Sequence, residues 1–233
     1  MARRVEGCGT GAAWLILLLL SCLPSLARPL SDQEAKLREV VGSLEAWSDV
    51  PEAEGFSAAP LREAHAVALI PSVVKVGLVV GGRYGKGVLC ARHQGQWSAP
   101  LFVTLRGGRF GWQIDAQATD LVLMFMTPES LAALLDGQLT LGGGFAVARG
   151  PAGRPPAKAT DQPLEAEVYV YASSRAWFDA AMLEGAVLQV VDQDNRVYYG
   201  RRDLGAWQIL GGEVESVPAS AKRLQARLAE MTQ

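Results

Sequence analysis

The feature that most constrains the fold is a series of short apolar runs that begins at Val73 and is interrupted by glycine roughly every eight to twelve residues. Runs rich in Val, Phe and Trp with turn residues between them are typical of antiparallel strands. These runs cover residues 73–80, 87–92, 98–105, 110–116, 120–125, 139–148 and 166–172. The pattern therefore predicts a meander of strands and not a series of alternating strands and helices.

Helical periodicity flanks this strand region on both sides. Residues 31–34 form a capping box before an amphipathic helix that ends near Pro51, and a second helix is predicted from Pro60 to just before Pro71. A short helix is predicted at residues 130–135, and another in the tail from Ala219. We expect an α+β fold: a single domain with an antiparallel curved sheet or barrel-like β meander, flanked by N- and C-terminal helices.

The first thirty residues have the organisation of an export signal. Basic Arg3 and Arg4 precede a short apolar run, and small residues at 25 and 27 suit a signal peptidase. This interpretation predicts a signal peptide over 1–27 and a single domain with flanking helices over 28–233, beginning at Arg28.

The same N-terminal segment also allows lipoprotein processing. Residues 19–22 resemble a lipobox, in which Cys22 would carry the lipid and the signal would span 1–21. Beyond residue 30 no apolar stretch approaches the roughly 20 residues of a membrane span. Both alternatives predict an exported protein of the periplasm or associated with an envelope membrane, with no transmembrane span in the mature chain.

Charge is segregated along the chain although the net charge is only -2. Residues 64–114 contain no Asp or Glu. The cations proposed here as a lipid- or anion-binding set are Lys75, Arg83, Lys86, Arg92, Arg106 and Arg109. One interpretation is a solvated charged face that the remaining surface balances. The other is a surface that faces anions, such as the headgroups of a membrane.

Candidates for catalysis are few. The chain contains two histidines, His65 and His93, and beyond the signal region one cysteine, Cys90. None of them shows the spacing of a nucleophile–base pair or of a metal site. The glycine-rich residues 81–87 lack the first glycine and the Ser or Thr of a phosphate loop, so we predict a strand turn at Gly81-Gly82. Residues 192–195 lack the closing positions of a calcium loop, so we predict a turn at these residues as well. The sequence predicts a non-enzymatic protein without cofactor or metal.

Six ordered blocks resemble the SYLF domain family. They lie at residues 79–87, 97–104, 111–114, 119–122, 150–154 and 192–200. Asp115 departs from the glycine expected after Gln113-Ile114. The resemblance, to a bacterial exported member, implies that residues 28–233 form a single SYLF-like domain with its flanking helices. It further implies a lipid-binding module whose partners are anionic membrane lipids.

Two further function classes compete with lipid binding. The alternative is a structural or protein-interaction component of the envelope, and a hydrolase ranks third because histidine is scarce. Aromatic residues among the cations would also suit single-stranded nucleic acid, but export argues against that partner. Liposome co-sedimentation separates the first two classes.

Overall fold

Helices lie at both ends of the chain and strands fill its middle. The computed structural model describes residues 31–48, 58–76, 82–107, 118–143, 145–149, 166–173 and 183–233. The helices are α1 (Asp32–Ser48), α2 (Ala58–Glu63), α3 (Pro128–Leu135), α4 (Asp192–Tyr199), α5 (Ala206–Leu210) and α6 (Ala219–Met231). The strands are β1 (Ala66–Val76), β2 (Gly82–His93), β3 (Gln96–Trp97), β4 (Leu101–Gly107), β5 (Thr119–Phe125), β6 (Gln138–Thr140), β7 (Val147–Arg149), β8 (Val168–Ala172) and β9 (Ala186–Val190).

The strands form one curled sheet. Among the described residues the order is β6-β9-β4-β2-β1-β5-β8-β7, and β3 extends β2 as a short hairpin. All pairs are antiparallel except β7 with β8. Leu141 follows β6 at one edge and forms a bridge with Phe145, which precedes β7 at the other edge. Because the two edges are joined in this way, the sheet curls towards a barrel.

Apolar residues line both faces of the central strands. The inner face carries residues such as Leu89 and Val103, which pack with α3 and with Ile209 and Leu210 of α5. The outer face carries a second buried cluster with α1, α2 and α6. Its strand residues include Val67, Leu69, Val88, Cys90 and Phe102. The central strands are therefore buried on two sides, and their sequence reads as nearly continuous apolar runs.

A bulge interrupts β1 in its middle. The register with β2 shifts between Leu69 and Val74, and Ser72 has a φ of 53°. The backbone N–H of Ser72 donates to Asp120 Oδ1 at 2.8 Å, and the Ser43 hydroxyl of α1 donates to Asp120 Oδ2 at 2.6 Å. Asp120 thus holds the extra residue of the bulge and ties α1 to the sheet.

The α+β prediction of a curved sheet flanked by terminal helices is confirmed, with local corrections. The helix predicted over residues 60–71 is wrong beyond Glu63, because β1 begins at Ala66. The predicted turn at 192–195 is the first turn of α4. The run 139–148 contains two separate strands, and β9 was not predicted. Three elements that were not predicted, β9, α4 and α5, follow the last predicted strand.

The glycine-rich residues 82–87 are part of one continuous strand and not a turn. A Cβ on Gly87 would lie 2.1 Å from the carbonyl oxygen of Leu69, and one on Gly85 would lie 2.7 Å from Ile70 and Val73 side-chain atoms. These two glycines allow β1 to cross β2 closely where β1 bulges. The turn predicted at Gly81-Gly82 lies between Val76 and Gly82, where residues 77–81 are outside the described ranges.

Several expectations fall outside the described residues. These are the signal segment with Cys22, the cation Arg109, the strand predicted at 110–116 and the loop at 150–156. Export and the domain boundaries stay predictions, while residues 31–233 form one compact unit. None of the helices in the described ranges is both long enough and apolar enough to cross a membrane.

Candidate functional site: an open polar patch on the outer face of the sheet

The outer face of the sheet is buried under helices over only part of its area. Beyond Val88 and Phe102, two further rows of side chains cross the strands. The outer row, farther from the helices, joins Val74, Tyr84, Arg106, Val187 and Thr140 by direct pairing. The inner row, next to the helices, joins Lys86, Thr104, Gln189 and Gln138. Eight of these nine residues are exposed or half-buried. We call these nine residues the open patch.

Lys86 lies at the border between the open patch and the helices. Its ammonium contacts Asp194 Oδ2 of α4 at 3.1 Å, and Asp194 Oδ1 accepts a hydrogen bond from Gln33 of α1 at 3.1 Å. The hydrogen bond to Asp194 raises the pKa of Lys86 above its ordinary value. Since 46% of its side chain remains exposed, Lys86 keeps donors directed to solvent as well.

Arg106 and Thr104 have fewer partners than Lys86. The Arg106 guanidinium donates to Gln189 Oε1, and within the described residues no carboxylate pairs with it. Thr104 is only 8% exposed, and its hydroxyl has no hydrogen-bond partner among the described residues. A buried hydroxyl without a partner costs free energy, so Thr104, beside a cation that no described carboxylate neutralises, marks a place where a ligand could add hydrogen bonds.

The structure brings four of the six predicted cations to one end of the strands. Lys75 pairs with Arg83 between β1 and β2, and Arg83 pairs with Gly107 beside Arg106. Lys86 follows three positions after Arg83 on β2, so Lys75 and Arg83 occupy positions of the opposite face of the sheet from Lys86 and Arg106. This clustering depends on backbone register alone, and a role of these residues in binding an anion stays a prediction.

Arg92 is separate from this group. It lies nine residues beyond Arg83 on the same strand, which corresponds to about 30 Å. Its guanidinium carbon is 4.5 Å from the centre of the Trp97 ring, and its Nη2 donates to the Leu61 carbonyl at 3.1 Å. Burial lowers the pKa of Arg92. These contacts give Arg92 a structural role at the corner between α2, β2 and β3.

The block at residues 192–200 has a structural role that sequence reasoning missed. The buried Asn195 accepts from the Phe102 N–H at 2.8 Å and donates to the Val191 carbonyl at 3.1 Å, so it extends the ladder between β4 and β9. The Tyr199 hydroxyl donates to the Pro100 carbonyl at 2.6 Å. Gly200 ends α4 with a φ of 66°. The helical spacing of the block and its final glycine were the signals that could have identified this helix.

The residues considered for catalysis do not form a site. Cys90 is fully buried in the outer cluster, and burial raises the pKa of its thiol to about 12. His65 and His93 are both exposed. In the described part of the chain, no group of three or more His, Cys, Asp or Glu side chains is arranged to hold a metal ion.

Several known proteins are similar to this chain in sequence. A family model described as Ysc84, Las17-binding protein actin regulator, matches residues 106–231. The chain is 38% identical over 164 residues to SH3 domain-containing YSC84-like protein 1 of Xenopus laevis, covering 70% of this chain and 49% of the relative. The human protein of the same name is 36% identical over 166 residues, covering 70% of this chain and 48% of the relative.

A yeast relative shows the same likeness at lower identity. LAS seventeen-binding protein 3 of Saccharomyces cerevisiae is 32% identical over 163 residues, covering 68% of this chain and 35% of the relative. The chain thus spans about half the length, or less, of the curated relatives that it matches. The matched family region covers more than half of the 233-residue chain and includes β4 from Arg106 onward, β9, α4 and α6. The chain therefore belongs to the Ysc84 family, which is the SYLF-domain family that the sequence blocks resembled.

Proposed function

We infer that this chain is a non-catalytic binding module that docks onto a protein partner. The observation that carries this inference is the open patch, where the Arg106 guanidinium has no carboxylate partner and the Thr104 hydroxyl no hydrogen-bond partner among the described residues, on strands held by a packed core. A surface fixed in this way loses little conformational freedom on association, which favours recognition. The same part of the molecule offers no nucleophile–base pair among the described residues.

The relatives support a protein partner more directly than a lipid. The matching family is described as an actin regulator, and the yeast relative is named for binding LAS seventeen. Because the chain spans only part of those proteins, their partners are carried over here as a proposal about this chain. A structural or protein-interaction role was the alternative that the sequence left open.

Crosslinking of the full chain in its native cells tests this function. We expect repeated crosslinks to one protein that excess purified chain competes away, and direct binding in a pull-down of that protein. Purified LAS seventeen and actin filaments serve as two defined baits. The proposal fails if no protein is crosslinked specifically and neither bait binds, while vesicles of phosphatidylcholine and phosphatidylserine do bind the chain.

Anionic membrane lipid is the second candidate partner, and the observation that favours it is that Lys75, Arg83, Lys86 and Arg106 gather at one end of the strands, on the two faces of the sheet. Each cation near an anionic bilayer contributes about 1 kcal/mol, so replacing Arg83, Lys86 and Arg109 with Glu should weaken binding by at least about a hundredfold. The matched control replaces three exposed cations elsewhere, Arg202, Lys222 and Arg223. Protein starting at Arg28 is used so that a lipid on Cys22 does not mask the result.

A further inference from the structure

We propose that the open patch docks an extended, acidic segment of a partner protein. This inference rests on the proposed function, because it names the surface and the chemistry of the partner for the same module.

The dimensions of the open patch suit a short extended peptide. Its outer row runs from Val74 on β1 to Thr140 on β6 and crosses five strands. Neighbouring strands are about 4.8 Å apart, so the row is about 19 Å long. An extended chain rises about 3.3 Å per residue, and about six residues would therefore span the row.

Helices confine the patch on one side. Asp194 of α4 and Gln33 of α1 contact each other and meet Lys86 at the edge of the inner row. Since a helix is about 10 Å thick with its side chains, these helices rise beside the patch as a wall. A narrow chain can lie at the foot of this wall, whereas a flat bilayer would meet the helices first.

The charge of the patch calls for an anionic partner. Arg106 is exposed, and its described contact is the neutral Gln189 amide oxygen. A guanidinium has five donors in a planar fork, which matches a carboxylate. Lys86 provides a second cation, although part of its charge is offset by Asp194. One or two carboxylates on a peptide would complete this arrangement.

Hydrogen-bonding groups accompany the charge. Thr104 lies directly between Lys86 and Gln189 in the inner row, and Gln138 follows on the edge strand. Thr104 is more than nine-tenths buried, and its hydroxyl, shielded from solvent, has no partner among the described residues. Rotation about χ1 would bring this hydroxyl to the surface and within reach of a peptide. Amide and hydroxyl groups in a row can bind the N–H and C=O groups of an extended backbone, which a lipid headgroup lacks.

The apolar content of the patch also favours a peptide over a bilayer. Its large apolar side chains that stand most exposed are Val74 at 41% and Tyr84 at 37%. Insertion into a membrane interface needs several protruding aromatic or aliphatic side chains. In addition, Asp194 at the border would face the headgroups of an anionic membrane.

Selection of a random twelve-residue peptide library on the immobilised full chain tests the proposal. We expect peptides enriched in Asp and Glu, with binding that salt weakens because the attraction is partly ionic. Arg106→Gln should reduce the affinity of a selected peptide by about tenfold or more. Arg223→Gln, an exposed site on α6, is the matched control and should change nothing.

Thr104→Val separates binding from a structural role. Valine has the same shape as threonine and lacks the hydroxyl, so the variant should unfold no more easily than the wild type. Peptide affinity should nevertheless fall by about threefold to tenfold, because one hydrogen bond to the ligand is lost. A structural residue would not give this combination of an intact fold with weakened binding.

Three results would overturn the inference. The first is a selection without acidic enrichment, and the second is acidic binding that survives Arg106→Gln. The third is loss of phosphatidylserine vesicle binding in Arg106→Gln while peptide binding persists, which would assign the patch to lipid. In the second case the chain still binds a peptide, so protein docking stands and only its location is wrong. If no peptide and no crosslinked partner binds, the proposed function itself fails.

Discussion

One face of one sheet carries two different surfaces in this protein. In the covered half, Val88, Cys90 and Phe102 are buried beneath the helices, and in the open patch Lys86 and Arg106 face solvent on the same strands. The backbone pairing is continuous from one half to the other. The difference therefore comes from side chains and from where α1 and α4 end. Stability should depend on the covered half and binding on the open patch, and each prediction below tests that division.

The largest effect is expected for Asn195, which joins the covered half to α4. Asn195→Ala leaves the buried N–H of Phe102 and the carbonyl of Val191 without their side-chain partner. We expect the free energy of unfolding to fall by about 2–4 kcal/mol, as measured by urea denaturation. Gln193→Ala on the exposed side of the same helix is the control and should cost less than about 0.5 kcal/mol. Equal effects of the two substitutions would contradict the assignment.

A pH-dependent loss of stability is expected from Cys90 in the covered half. Burial raises its pKa from 9.0 to about 12, so the folded state keeps the thiol protonated where the unfolded state has lost the proton. The contribution of the protonated thiol to the free energy of unfolding is fully present below pH 9. It is lost as pH rises through the folded-state pKa of about 12. Between pH 9 and pH 10 the loss should be about 1 kcal/mol, because only half of the unfolded-state thiols are ionised at pH 9.

The Cys90 contribution is the difference between two pH profiles of unfolding, one for the wild type and one for Cys90→Ala. Burial also raises the pKa of Tyr171 and of Tyr199, so part of the slope should persist in the variant. Parallel profiles would show that the thiol is reached by water in the folded state. Thiol reagents at pH 8 should likewise react only as fast as the protein opens.

The helical ends and the strand meander could be predicted from sequence because their patterns are local. The segment at 64–70 was misassigned because a strand buried on both faces loses its alternation, and Val67 and Ala68 are equally buried. The open patch could not be predicted from sequence. Tyr84 and Arg106 are twenty-two positions apart, and only the register of β2 and β4 places them side by side. Sequence identified the cations but not which of them share a surface.

In the open patch, removing a polar group should stabilise the protein. Thr104→Val replaces a hydroxyl that has no partner among the described residues with a methyl group of similar size. We expect the free energy of unfolding to rise by up to about 1 kcal/mol, which thermal denaturation would record as a higher Tm. A lower Tm would show that the hydroxyl has a structural partner. Binding sites commonly keep such groups at a cost in stability.

The smallest effect is expected for the ion pair at the border of the two halves. Lys86 and Asp194 are 3.1 Å apart, but 46% of the lysine side chain is exposed, so solvent screens their attraction. A double-mutant cycle of Lys86→Ala and Asp194→Ala should give a coupling free energy of about 0.2–1 kcal/mol, smaller at high salt.

Substitutions of Lys86 and of Asp194 should change the affinity for an acidic peptide in opposite directions. Lys86→Ala removes a cation and weakens binding of an acidic peptide, whereas Asp194→Asn removes a competing carboxylate and strengthens it. If both substitutions weaken peptide binding equally, the pair serves only to hold α4 on the sheet, and the open patch would end at Thr104.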